Sequence, residues 1–147
     1  MCGIAGILAF SSSASIAETE LVRLNDAMPH RGPDGVGTWL SDNHKIGLSH
    51  RRLAIVDLTA DAAQPMSDAD GSVQLTYNGE IYNHLELRAQ LEAAGHRFRT
   101  DHSDSEVLVH GYKEWGIDGL VERLIGMFAF AIWDVRKKRL TIVRDRV

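Results

Sequence analysis

Apolar positions along this chain recur with two periods, and the changes between them divide it into elements. Ile4, Ile7, Leu8 and Phe10 predict a buried strand directly behind the N-terminus. Leu21, Leu24 and Met28 recur at helical spacing, which predicts a short helix over residues 17–28, stopped by Pro29. Residues 36–40 and 45–48 read as two strands around a turn at 41–44, and residues 49–57 as a further strand with basic residues at its start. A long loop over 58–71 leads to a strand at 73–77. A helix follows Asn83, with Leu87, Leu91 and Ala94 at core spacing and Gly95 as its stop. Asn83 with Glu86, and later Ser103 with Glu106, have the spacing of capping boxes.

Residues 96–99 form a brief extended piece. The second capping pattern opens a helix with Val107, Leu108 and Tyr112 facing inward, closed at Trp115 and Gly116, and residues 118–124 form a short helix of their own. Residues 126–134 are almost continuously apolar, as a strand covered on both faces must be. A charged turn at 136–139 returns the chain into a partner strand at 140–143. Hairpin strands at both ends, with helices between, are satisfied most economically by two packed sheets with helices outside them. The expected class is therefore α+β, a four-layer αββα sandwich.

Composition narrows the function classes. The 147 residues suit one domain, and a net charge of −4 gives no support to nucleic-acid binding. No apolar run reaches membrane-spanning length. The single cysteine excludes an internal disulfide and suggests a reducing compartment, hence a cytoplasmic location. The apolar start, followed by Ser11 to Ser15, has no preceding Lys or Arg and is short for a secretory signal. His84 and His110 lack companions at metal-ligand spacing, His44 reads as an exposed turn residue, and no metal or cofactor site is expected.

Candidate chemistry begins at Cys2. Methionine before a small residue is commonly removed, which would place a nucleophilic thiol and a free α-amine on one residue. An ordinary buried cysteine is the plain alternative. The turn Gly32-Pro33-Asp34-Gly35 is rigid and polar. Arg51 and Arg52 point to opposite faces of a strand, so at most one is positioned to clamp a carboxylate in a pocket; two solvated side chains are the other reading. Asn78-Gly79 after a strand is usually a hairpin turn, but the helix that follows makes it a strand-to-helix junction, where a site is expected. Asp104 reads first as a helix-dipole partner.

Taken in order, these pieces resemble the glutaminase domain of class II glutamine amidotransferases, of the N-terminal-nucleophile type, and within them glutamine-hydrolysing asparagine synthetases. The resemblance is carried by Met1-Cys2-Gly3-Ile4-Ala5-Gly6, Arg31-Gly32-Pro33-Asp34-Gly35, the run from His50 to Asp57, and Gln64-Pro65-Met66. It continues through the run from Asn78 to Asn83, Ser103-Asp104-Ser105-Glu106-Val107, the run from Gly126 to Ala131, and Arg144-Asp145-Arg146.

The resemblance implies that Cys2 attacks the glutamine side-chain amide, with its α-amine moving protons. It implies an oxyanion hole formed by Asn78 and Gly79. Arg52 is then expected on the substrate α-carboxylate, Asp104 on its α-ammonium with Glu80 nearby, and Leu53 and Ile55 as pocket walls. Glutamine is the implied substrate, with no cofactor for this step. The family's ATP- and Mg-dependent synthetase domain is expected in cis, and a homodimer in the full-length protein; no equivalent of the synthetase domain is read here. The resemblance also implies truncation of residues 1–147 near the C-terminal end of the glutaminase domain. A non-catalytic binding domain on the same fold, or a glutaminase serving another acceptor, are the alternatives.

Overall fold

A computed structural model describes residues 1–55 and 57–146. Val56, inside the predicted 49–57 strand, and Val147 lie outside the described residues. The elements in chain order are β1 (Gly3–Leu8), α1 (Glu18–Asp26), β2 (Gly35–Leu40), β3 (Ile46–Arg52), β4 (Met66–Ser67), β5 (Val73–Ile81), α2 (His84–Ala93), α3 (Asp104–Arg123), β6 (Gly126–Asp134) and β7 (Arg139–Arg144). The strands form two antiparallel sheets, ordered β1-β3-β2 and β4-β5-β6-β7.

Each sheet carries its helices on its outer face. Leu21 of α1 is fully buried against β3, so close that a Cβ on Gly47 would lie 2.7 Å from its methyl carbon. Leu87, Leu91, Val107, Leu108 and Tyr112 of α2 and α3 pack on Val73, Leu75, Tyr77, Phe130 and Ile132 of the second sheet. Between the sheets, Thr76 Oγ1 donates to Ser49 O at 3.3 Å and the buried His50 Nε2 lies 3.1 Å from Tyr77 O. A carbonyl only accepts, so His50 carries its proton on Nε2. The four-layer αββα arrangement follows from these contacts.

Several local expectations are corrected. The two predicted strands at 45–48 and 49–57 are one strand that ends at Arg52. Leu53 and Ala54 leave the ladder because their backbone serves a neighbouring loop and the Cys2 thiol. Strand β5 does not stop at Tyr77: it runs through Asn78 and Gly79, which face Ala129 and Phe128 of β6, so the Asn-Gly pair is inside a strand and not at its junction with a helix. Neither capping box forms. Asn83 instead bridges to Arg123 O and Ile125 N, while Glu106 holds Arg99 N, Thr100 N and Thr100 Oγ1. Groups outside the helix ends, an acceptor and a donor for Asn83 and three donors for Glu106, took the place of the caps. Phe10 is 92% exposed and Ala94 is exposed, so the first strand is only half-buried and α2 buries a shorter stripe than its spacing suggested. The break expected at Gly116 is present, with φ of 69° between two helical runs.

His50 gives the inter-sheet layer a pH dependence. Burial lowers its pKa to about 4, the Tyr77 carbonyl opposing and the Arg52 charge reinforcing that shift. The unfolded chain takes up a proton below the ordinary value of 6.5, and the folded protein does so only near 4. Stability is therefore full above 6.5 and falls as pH drops to about 4, by on the order of 3 kcal/mol. Glu106 acts in a lower window. Its burial favours the neutral acid, but His110 and the Arg99 and Thr100 donors outweigh burial and hold it at about 2, so its contribution is lost as pH falls from 4.5. Denaturant melts between pH 7 and 4 will show a decline for the parent and a flatter profile for His50→Gln, which keeps a donor but does not titrate. Parallel profiles would rule out His50 as the source.

Candidate active site

The end of β1 nearest the N-terminus, the segment after β3 and the far half of β5 converge on one cleft. It is lined by Met1, Cys2, Arg52, Leu53, Ile55, Asn78, Gly79, Glu80 and Asp104, among others. Every residue to which the resemblance gives a role therefore lines the same cleft, although Ile55 is 69% exposed and Glu80 sits at the exposed rim. A larger groove of about 430 Å³, against about 110 Å³ here, opens between β1 and β7. Its walls are Ile, Leu, Ala, Gly, Phe and one Thr, with no nucleophile or charge, so size does not decide where chemistry can occur.

Cys2 is held by Leu53 and Arg31. Leu53 N–H donates to Sγ at 3.3 Å, and the thiol faces Leu53 O at 3.6 Å. Arg31 Nε donates to Cys2 O at 3.3 Å. The segment carrying Leu53 is in turn braced by the Gly32-to-Gly35 loop: Asp34 Oδ2 accepts from Ala54 N at 2.9 Å, and Asp34 N donates to Arg52 O at 3.0 Å. Gly32 lies so near this segment that a Cβ would sit 2.6 Å from the Arg52 carbonyl carbon. Thus a loop that reads as a simple turn is a strut beneath the thiol.

The two arginines separate as strand alternation requires. Arg51 turns to α1, giving Nε to Asn25 O at 2.8 Å and Nη2 to Asp26 at 3.3 Å. Arg52 turns to the cleft, anchored on Thr59 O at 2.8 Å and on Asp57 O.

The donors on β5 follow from ladder parity. Tyr77 N donates away from β6, to Gln64 Oε1 at 2.6 Å, and Ile81 N donates to Asp104 Oδ2 at 3.1 Å. Gly79 lies between them with the same parity. Its β6 partner, Phe128, spends both backbone groups elsewhere: N to Asp145 Oδ2 at 2.7 Å and O to Asp145 N at 2.9 Å. The Gly79 N–H is thereby left on the cleft side without a ladder partner. Any Cβ on Gly79 would overlap the Met127 carbonyl oxygen and approach Phe128 Cα to 2.6 Å. Asn78 alternates to the inter-sheet side with Thr76, and its buried Oδ1 has no hydrogen-bond partner within the protein. On the α3 side, Asp104 is buried at the start of the helix and accepts Tyr77 OH at 2.5 Å.

Sequence reasoning assigned no role to Tyr77, Gln64 or Asp34. Gln64 stood out only as part of Gln64-Pro65-Met66 in a long loop, and its work, holding Tyr77 N and Ser105 Oγ, depends on partners 13 and 41 residues away. Among the described residues, no group of three or more His, Cys, Asp or Glu side chains is arranged to hold a metal ion. No helix among them is long and apolar enough to cross a membrane.

Comparison with known proteins gives a family-level match over the whole chain: residues 1–147 match the model described as a glutamine amidotransferase domain. Asparagine synthetase [glutamine-hydrolyzing] 2 of Bacillus subtilis (strain 168) is 45% identical over 148 residues, covering 99% of this chain and 19% of the relative. Asparagine synthetase [glutamine-hydrolyzing] 1 of Arabidopsis thaliana is 40% identical, covering 100% of this chain and 24% of that protein. Amidase chry2 of Gibberella zeae is 37% identical over 155 residues, covering 99% and 23%. The chain thus spans about a fifth to a quarter of the length of the curated relatives it matches. Among solved structures, glutamine phosphoribosylpyrophosphate amidotransferase from B. subtilis, complexed with ADP and GMP, superposes with a TM-score of 0.77 at 24% identity, over 97% of this chain and 37% of that one, which is a likeness of fold.

The strut beneath Cys2 has a direct test. Asp34→Ala removes the acceptor of Ala54 N–H, a bond worth about 1 kcal/mol. Hydrogen exchange at Ala54 is expected to accelerate roughly fivefold while core amides of β6 stay unchanged. An unaltered Ala54 rate would show that the loop does not brace this segment.

Proposed function

The chain belongs to the glutamine amidotransferase domain family and is related to glutamine-hydrolysing asparagine synthetases, and on that premise we propose that it hydrolyses the side-chain amide of free glutamine, with Cys2 as nucleophile. The observation that carries this reading is the Gly79 N–H left without a ladder partner, facing the cleft that holds the Cys2 thiol.

In the proposed reaction the Cys2 sulfur bonds to the amide carbon, and the carbonyl oxygen takes the electron pair. The Gly79 N–H and the Asn78 side-chain amide donate to that oxyanion. Two preorganised donors aimed at charge that develops only in the transition state accelerate the step without tightening substrate binding. The thiol proton passes to the α-amine of Cys2, which returns one to the departing nitrogen as the C–N bond breaks and ammonia leaves. Water, deprotonated by the same amine, then cleaves the thioester to glutamate. Met1 is 59% exposed at the cleft, which supports its access to an aminopeptidase and the release of that amine.

Arg52 is assigned to the substrate carboxylate and Asp104 to its ammonium. Their opposite charges select a free amino acid over a glutamine residue within a polypeptide. Glu80 at the rim adds negative charge on the ammonium side, and Leu53 and Ile55 wall the carbon chain. We further propose that the ammonia serves asparagine formation from aspartate in a longer protein, by a synthetase domain that would bring ATP and Mg. The support is that the similar asparagine synthetases are four to five times longer than this chain. The similarity to a protein named an amidase supports a second reading of the acceptor, in which the ammonia goes to a different amide product.

Purified protein of confirmed mass, lacking Met1, is expected to release ammonia from glutamine without ATP. Cys2→Ala should abolish release. Asn78→Ala should lower kcat about a hundredfold with a smaller change in KM, since one oxyanion donor is worth about 3 kcal/mol. A folded, Met1-free protein that leaves glutamine intact, or is indifferent to Cys2, would leave a binding domain in place of an enzyme.

The carboxylate assignment predicts a contrast between neighbours. Arg52→Leu should raise the KM for glutamine at least tenfold, because a charge-assisted pair is lost within a cleft. Arg51→Leu, whose guanidinium is bound to α1, should act on thermal stability and leave KM within about twofold. Equal KM effects would refute the assignment.

A further inference from the structure

The aromatic side chain of Tyr77 is 3% exposed, yet its hydroxyl ends against the cleft wall at Asp104. Its backbone is fixed from both sides: N–H on Gln64 Oε1 at 2.6 Å, and carbonyl oxygen 3.1 Å from His50 Nε2. The ring is packed among the core residues of β5, α2 and α3. A hydroxyl on so fixed a stem has little freedom to follow its partner, so the partner is held to it.

The partner is one oxygen of one carboxylate. Asp104 Oδ2 accepts both Tyr77 OH at 2.5 Å and Ile81 N at 3.1 Å. Two donors use the two lone-pair directions of that oxygen, so Oδ1 is the atom left to meet a cation. Burial first, and the Asp104 charge next, push the Tyr77 phenol far above its ordinary range, so it acts as an O–H donor throughout.

We propose that Tyr77 is a positioning residue for amine selection, orienting the Asp104 carboxylate so that its free oxygen meets the substrate α-ammonium. This rests on the assignment of Asp104 to that ammonium, and the experiment separates the two. Without the hydroxyl, Oδ2 keeps one donor and the carboxylate can rotate. The free oxygen is then shared among orientations, and recognition of the amine weakens while recognition of the carboxylate and amide does not.

The test is calorimetric binding in a Cys2→Ala background, which prevents turnover, using L-glutamine and 5-amino-5-oxopentanoic acid, the analogue without the α-amine. Tyr77→Phe, which keeps the ring, is expected to weaken glutamine binding about five- to tenfold and leave the analogue within about twofold. Asp104→Asn should remove most of the preference for glutamine over the analogue. If Tyr77→Phe weakens both ligands equally, the ring acts through packing and the inference is overturned. It is also overturned if Tyr77→Phe retains the amine preference that Asp104→Asn loses. If Asp104→Asn keeps that preference, or the Cys2→Ala parent binds no glutamine, the assignment of Asp104 falls and the role of Tyr77 falls with it.

Discussion

Strand β5 has two backbone edges, and beyond Leu75 only one of them has a strand beside it. Buried amide groups need partners, so the open edge has to be satisfied by something other than a sheet. Two side chains do this. Gln64 reaches in from the long loop to Tyr77 N, and Asp104 reaches from the start of α3 to Ile81 N. Between these two capped amides lies Gly79, whose N–H shares their parity and points away from β6. The candidate site is thus the gap in an otherwise complete hydrogen-bond inventory. Gly79 is required there by close approach, since no side chain fits against Met127 and Phe128.

The opposite wall obeys a similar constraint. A chain terminus frays unless it is tied down. Here the tie consists of β1 pairing with β3, Arg31 on the Cys2 carbonyl and Leu53 N–H on the thiol. The last of these requires β3 to stop at Arg52, because a continued ladder would use the Leu53 amide. The strand ends where the Asp34 loop takes over the backbone of Arg52 and Ala54. A short run of turn residues therefore braces the segment that holds the Cys2 thiol, 32 positions before Asp34 in the chain.

Local pattern was enough to place the helices, the hairpin at the end of the chain and the opposite facing of Arg51 and Arg52, because strand parity and helical spacing are properties of neighbours in sequence. The αββα layering was also legible, since a strand apolar on both faces has few places to go. What the pattern misread shares one physical cause. Asn83, Glu106 and the Asn78-Gly79 pair carry short-range signals for caps and turns, and each was claimed by a partner outside its own helix end or turn: Arg123 and Ile125, Thr100 with Arg99 in the preceding loop, and β6. For Tyr77 there was no short-range signal at all. A tyrosine in an apolar strand looks like core, and only the approach of α3 gives its hydroxyl a carboxylate.

The buried polar layer between the sheets connects stability to the electrostatics of the cleft. His50 lies in the layer between the sheets, and its protonation would add a buried cation near the partly exposed Arg52, whose charge is the smallest of the three causes acting on the His50 pKa. Burial keeps His50 neutral down to about pH 4, so it serves the inter-sheet layer as a hydrogen-bonding group and not as a charge. The same imidazole fixes the Tyr77 carbonyl, while the Tyr77 hydroxyl fixes Asp104. One continuous run of buried groups, from His50 through Tyr77 to Asp104, thus spans the interior from the arginine side of the cleft to its carboxylate side. Arg52 ends β3 and Asp104 begins α3, so the two charges are held apart by the packing of sheet on sheet and of helix on sheet together.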